Sequence, residues 1–186
     1  MKINIVNNYY KPGPATPTKG TVSYRIAAIG VRTTRYCYQE DGTPNVWQPM
    51  AHVWGQLYVD GNVVEGHPDV SRDNWTPGIY AQINNAACDY TFTEKVKREM
   101  RLSSPLETGV ITTHTAEEAY RLVLEGAGCS KWRDLIDERI VSETRNGTAT
   151  YSGSITQNAK EVPGLIDIPV DVKPEGAISA WPDLSD

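Results

Sequence analysis

Two stretches of this chain carry the same order of residue types: "NIVNNYYKPGP", Asn4 to Pro14, and "LYVDGNVVEGHP", Leu57 to Pro68. Aligned with one gap, each reads as an apolar pair, Asn or Asp, an Asn, two β-formers, a charged residue, then Gly and Pro. Short β-runs that end on the same bend chemistry are what a stacked coil needs, because a bend between strands leaves backbone groups unpaired inside the stack. An asparagine side chain satisfies such groups and can also bond the same position one coil away. It tolerates the left-handed backbone of a bend as well. Asn8 and Asn62 are therefore expected to be bend residues of an asparagine ladder. Their separation is expected to span about two periods of 20 to 30 residues each. Ordinary hairpin turns that contain asparagine remain the alternative reading of the same residues.

The texture changes near Asn85, so residues 1–85 are read as terminal β-helix coils and 86–186 as a C-terminal helical extension and tail that pack on them. "TFTEKVKREM", Thr91 to Met100, starts with a threonine cap and places Glu94 before Lys97 and Arg98 at helical spacing. "THTAEEAYRLVLEGAGC" offers Thr115 as a cap with Glu118 three residues on, Ala119, Leu122 and Val123 on one face, and Gly126 or Gly128 as the stop. "KWRDLIDERIVSETRNG" places Leu135, Ile136, Arg139, Ile140 and Glu143 at helical spacing and breaks at Asn146-Gly147. From Thr148 the chain reads as an extended tail.

Composition narrows the ligand class. Ten Tyr and five Trp stand against one Phe, a balance that suits polar grooves more than an oily centre. The net charge is −5 and no stretch clusters Lys and Arg, so no nucleic-acid partner is expected. No apolar run approaches the roughly 18 residues of a membrane span, so no membrane partner is expected, and the N-terminus lacks the layout of a signal peptide. Cys37, Cys88 and Cys129 fit neither a zinc site nor a dense disulfide framework, although one bridge stays open. The sequons at Asn74 and Asn146 matter only in a glycosylating secretory pathway.

Few residues invite chemistry. His52, His67 and His114 lie in different segments without a second His or Cys at ligand spacing. Ser103 and Ser104 lack a nucleophile-elbow context. The run "DVSRDNW", Asp69 to Trp75, has two carboxylates that could face Ca²⁺, but its order is not that of a calcium loop, and a capped turn is the expected role. Lys11, beside Tyr9 and Tyr10, can meet an acidic sugar through charge and ring stacking, which makes Tyr10 and Lys11 the expected substrate-binding residues.

"NIVNNYYKPGPAT", "YVDGNVVEGHPDVSRDNW", "THTAEEAYRLVLEGAG" and "DERIVSETRNGTATYSG" occur in one order, and together they resemble the C-terminal half of bacterial pectate lyases of polysaccharide lyase family 1. "GLIDIPVDV" and "AWPDLSD" resemble that family's tail, with Pro169 to Ala180 as extra or altered sequence. The resemblance implies a mainly β fold, the terminal coils of a right-handed parallel β-helix carrying an extension with two or three α-helices. It implies β-elimination on polygalacturonate, in which an arginine takes the C5 proton while Ca²⁺ on protein carboxylates neutralises the uronate. It also implies a secreted or periplasmic protein.

In relatives the calcium carboxylates and the catalytic arginine precede the segment that resembles "VNNYYKPGP", and only Met1 to Ile5 stand before it here. No catalytic residue and no metal ligand is therefore assigned; Arg25, Arg32 and Arg35 would qualify by type alone. The expected function is the C-terminal portion of a pectate lyase, inactive by itself, with a non-catalytic pectate-binding or structural module as the alternative. A half-enzyme that docks on a partner carrying the missing N-terminal half is the third reading. Ile3, Ile5 and Val6 are expected to form an uncovered, self-associating face.

Overall fold

The computed structural model describes residues 1–14, 16–30, 34–51, 53–82, 92–128 and 130–149, together with two strands at 154–157 and 160–163. The chain divides into two compact units, one of Met1–Tyr10 with Tyr24–Glu117, the other of Lys11–Ser23 with Glu118–Asp186.

In the first unit every strand pairing is parallel among the described residues. Strand β1 (Lys2–Val6) lies on β4 (Gln56–Asp60) with Ile3 opposite Leu57 and Ile5 opposite Val59. Strand β2 (Tyr9–Tyr10) lies on β5 (Val63–Val64), and β3 (Ala27–Ile29) on β6 (Ile79–Ala81). The first two pairs share one offset, so the 54 positions from Asn8 to Asn62 are a single step of the repeat rather than the two expected from the sequence. The extra length lies between β3 and β4, where helix α1 (Thr34–Cys37) and a 3₁₀ turn over Gln48–Met50 occupy part of the connection.

Alternation within β4 decides which of its side chains are buried. Leu57 and Val59 point inward and join Trp75, Ile79 and Met100 in a buried cluster, against which Ile5, Ile26, Ile29, Trp54, Phe92 and Val96 pack. Each such side chain contributes about 1.5–3 kcal/mol when fully removed from water. Met100 reaches the cluster from helix α3 (Glu94–Met100), whose cap is Thr93, its hydroxyl accepting from the Val96 amide at 3.2 Å. Thr91 lies outside the described residues. Beyond α3 the chain runs parallel to β4, with the Leu102 amide donating to the Leu57 carbonyl at 2.8 Å. Further along, Asn4 clamps Leu106 by donating to its carbonyl at 3.0 Å and accepting from its amide at 2.9 Å.

Helix α2 (Pro68–Arg72) occupies the acidic run weighed above for calcium. Proline sits in its first turn, where a missing N–H is no loss. Helix α4 (Ala116–Gly126) is followed by Gly128 at φ 70°. Within the second unit, helix α5 (Leu135–Asn146) is capped by Asp134, which accepts from the Ile136 and Asp137 amides. It stops at Gly147 in the left-handed conformation, φ 65°, as the Asn-Gly break requires. Two residues placed on the apolar faces are in fact exposed, Val123 at 58% and Leu135 at 67%. The reason is local: Leu135 is the first residue of its helix, and Val123 neighbours Leu122 and Leu124, which are the half-buried pair. Strands β7 (Ser154–Gln157) and β8 (Lys160–Pro163) form an antiparallel pair where an extended tail was expected.

Candidate functional site

The bend shared by β1–β2 and β4–β5 carries a dense side-chain hydrogen-bond network. Asn62 is completely buried, and its Oδ1 accepts from the Asn8 amide at 3.0 Å and from Asn8 Nδ2 at 2.8 Å. Its Nδ2 donates to the carbonyls of Ile5 (2.8 Å) and Asp60 (3.1 Å) and to Asn74 Oδ1 (3.0 Å). Asn74 then returns Nδ2 to the Asn62 carbonyl and to Val70, both at 2.8 Å. The Asn8–Asn62 contact thus joins the two bends, and Asn74 ties the second of them to helix α2. The left-handed backbone falls one residue earlier than the ladder, at Asn7 (φ 56°) and Gly61 (φ 66°). Correspondingly, a Cβ on Gly61 would run into the Asn7 side chain.

Asn74 was read from sequence only as a sequon. In the folded chain its amide is buried and hydrogen-bonded, which is the environment of a structural side chain and not of a glycan-bearing one. A signal was present in "DNW", since an asparagine twelve positions after Asn62 can close a loop back to it. The neighbouring Asp73 is the capped turn expected of this run: its Oδ1 accepts from the Trp75 and Thr76 amides, and hydrogen bonds from Thr76, the side-chain one first, hold the carboxyl below its ordinary range.

After the ladder comes the pair expected to meet sugar. Tyr9, facing Val63 in the register, donates its hydroxyl to Glu65 Oε2 at 2.8 Å. Tyr10 faces Val64, is half-buried, and burial raises its phenol above the ordinary value. Tyr10 closes the first unit's leading segment, whereas Lys11 opens the second unit. There the Lys11 ammonium lies 5.7 Å from the centre of the Tyr120 ring, and the Tyr120 hydroxyl donates to the Thr144 carbonyl at 3.2 Å. Lys11, Pro12 and Gly13 line a cleft of about 380 Å³ with Glu143, Thr144 and Gly147. Glu143 is held from the other side by Arg139 at 2.9 Å. The cleft therefore presents one cation on an aromatic face beside a carboxylate whose charge is already partly compensated, an arrangement suited to holding a polar ligand.

The other residues weighed from sequence are dispersed. The His67 ring lies 5.4 Å from that of Tyr24, and the His114 carbonyl accepts from Asn7 Nδ2 at 2.7 Å. Arg25 covers Tyr80 at 5.5 Å, and Trp47, 48% exposed, precedes the 3₁₀ turn. Cys37 is buried as a free thiol. His52, Arg32, Cys88 and Cys129 lie outside the described residues. Among the described residues no three His, Cys, Asp or Glu side chains converge as ligands for a cation, and no step is derived through Ca²⁺. Sequence reasoning also passed over a second, larger cleft in the first unit, about 570 Å³, lined by Tyr58, Asp60, Arg98, Arg101 and Ser103.

No protein-family model, no curated protein and no solved structure matches this chain.

Proposed function

We propose that this chain is the C-terminal portion of a pectate lyase of polysaccharide lyase family 1, built as coils of a right-handed parallel β-helix, and that by itself it holds polygalacturonate without cleaving it. The observation that carries the reading is the bend: β1–β2 lies in register on β4–β5, with Asn8 bonded directly to a fully buried Asn62. Such stacking of identical bend chemistry is the feature a β-helix coil requires and an independent pair of hairpins does not. The four segments that resemble the family support the same reading.

Proton abstraction and cation binding are assigned to no residue of this chain, because the family motifs that perform them match no position in it. The contribution proposed for these residues is binding, with Tyr10 and Lys11 each contacting the uronate. The test is the unsaturated product's ultraviolet absorbance with polygalacturonate and Ca²⁺, run beside retardation of the chain in a pectate-containing native gel. Retardation without a rise in absorbance is expected, weakened by Lys11→Gln and by Tyr10→Leu tested singly. Cleavage by the chain alone, or migration unaffected by pectate, overturns the proposal.

A further inference from the structure

We infer that the cleft bounded by Tyr58, Arg98, Arg101 and Ser103 is a second anion-binding site, one that takes the carboxylates of an acidic saccharide. Its walls come from two elements locked together. The strand β4 supplies Tyr58 and Asp60, and the end of α3 with the segment that follows supplies Arg98, Arg101 and Ser103. The Leu102–Leu57 hydrogen bond and the buried Met100 fix the second element against the first, so the two arginines are carried on a rigid edge. At about 570 Å³ the cleft is within the size range of ligand sites.

Charge is what gives this cleft its chemistry. Neither Arg98 nor Arg101 forms an ion pair among the described residues, and Arg101 lies 5.4 Å from the centre of the buried Trp75 ring. Lys97, one residue before Arg98, is buried with its ammonium donating to the Thr76 carbonyl at 2.6 Å and does not line the cleft. The lining holds one carboxylate, Asp60, which accepts from the Tyr58 hydroxyl at 3.3 Å, against the two guanidinium groups, and Asp73, outside the lining, also feels the charge of Arg101. Two guanidinium forks flanked by hydroxyl groups match carboxylates spaced along a chain better than a single point charge would. The carboxylate chemistry stands on the arginines alone; naming uronate as its carrier rests on the proposed function.

Calorimetric titration of the full chain with trigalacturonate, with citrate as a non-sugar carboxylate and with an uncharged galactose trimer separates these claims. Both carboxylates are expected to bind and the neutral trimer is not, with affinity falling as sodium chloride is raised. The double variant Arg98→Gln/Arg101→Gln is expected to lose about tenfold or more in affinity for each, and Arg101→Lys, which keeps the charge over Trp75, to lose less. Thermal melts establish that the variants fold, and the salt dependence of the unaltered chain reads the site without any substitution. Citrate binding that depends on the arginines, with none for trigalacturonate, overturns uronate as the ligand. Trigalacturonate bound equally by the double variant overturns this site and leaves the proposed function standing. No binding of either carboxylate overturns the site outright.

Discussion

Asn62 is the residue on which the most backbone depends. Its side chain makes contacts with Asn8, Ile5, Asp60 and Asn74 while fully buried, so removing it strands several polar groups at once. Asn62→Ala is expected to destabilise the chain by roughly 3 kcal/mol, and Asn8→Ala, at an exposed position, by about 1 kcal/mol or less, measured by urea unfolding. Equal effects at the two positions would contradict the burial argument. Gly61 is constrained differently: its positive φ and the Asn7 side chain facing it leave no room for a Cβ. Gly61→Ala is expected to cost roughly 2 kcal/mol, whereas substitution at Gly13, where a Cβ meets open space, should cost little.

At the scale of elements, caps and turns carry the testable energetics. Asp73 closes the turn after α2, and its carboxyl is held low by hydrogen bonds from Thr76 and Trp75. A carboxylate depressed in the folded state adds stability above its unfolded value near about 4, and that contribution is lost as pH falls through the lower folded value. The melting temperature should therefore drop as pH is taken from about 5 towards 2, and Asp73→Asn should flatten part of that drop. Elements were also legible in sequence to different degrees. Helix α5 announced its end through Asn146-Gly147, whereas its cap, Asp134, was passed over in the sequence. Its inward face was less legible: Leu135 sits at the right spacing yet is exposed, because periodicity cannot say how far the partner surface extends. The antiparallel pairing of β7 with β8 had no sequence signal of comparable strength, since its strands carry Thr, Gln, Lys and Glu among their few apolar residues.

For the whole molecule, the consequence lies at the open side of β1. This strand pairs with β4 and with no other strand among the described residues, and Met1, Ile3 and Ile5 line an apolar cavity of about 210 Å³ beside it with Ile29, Leu57 and Met100. An open strand edge next to apolar surface invites pairing with another chain. Light scattering across a concentration series should show a mass that rises above that of one chain, and Ile3→Lys should suppress the rise. A constant single-chain mass at every concentration would refute the expectation.

Sequence alone singled out Asn8 and Asn62 as bend residues, because an Asn side chain can satisfy backbone groups left unpaired at a bend, and it left hairpin turns open as the alternative. It also placed the end of α5, since Asn146-Gly147 supplies the left-handed residue that stops a helix. Only the tertiary structure decided that 54 residues make one step, that Asn74 completes the network, and that Arg98 and Arg101 share a cleft with Tyr58. Those outcomes depend on which distant segments share a register, and that is set by the joint burial of Leu57, Val59, Trp75, Ile79 and Met100 rather than by any one stretch of chain.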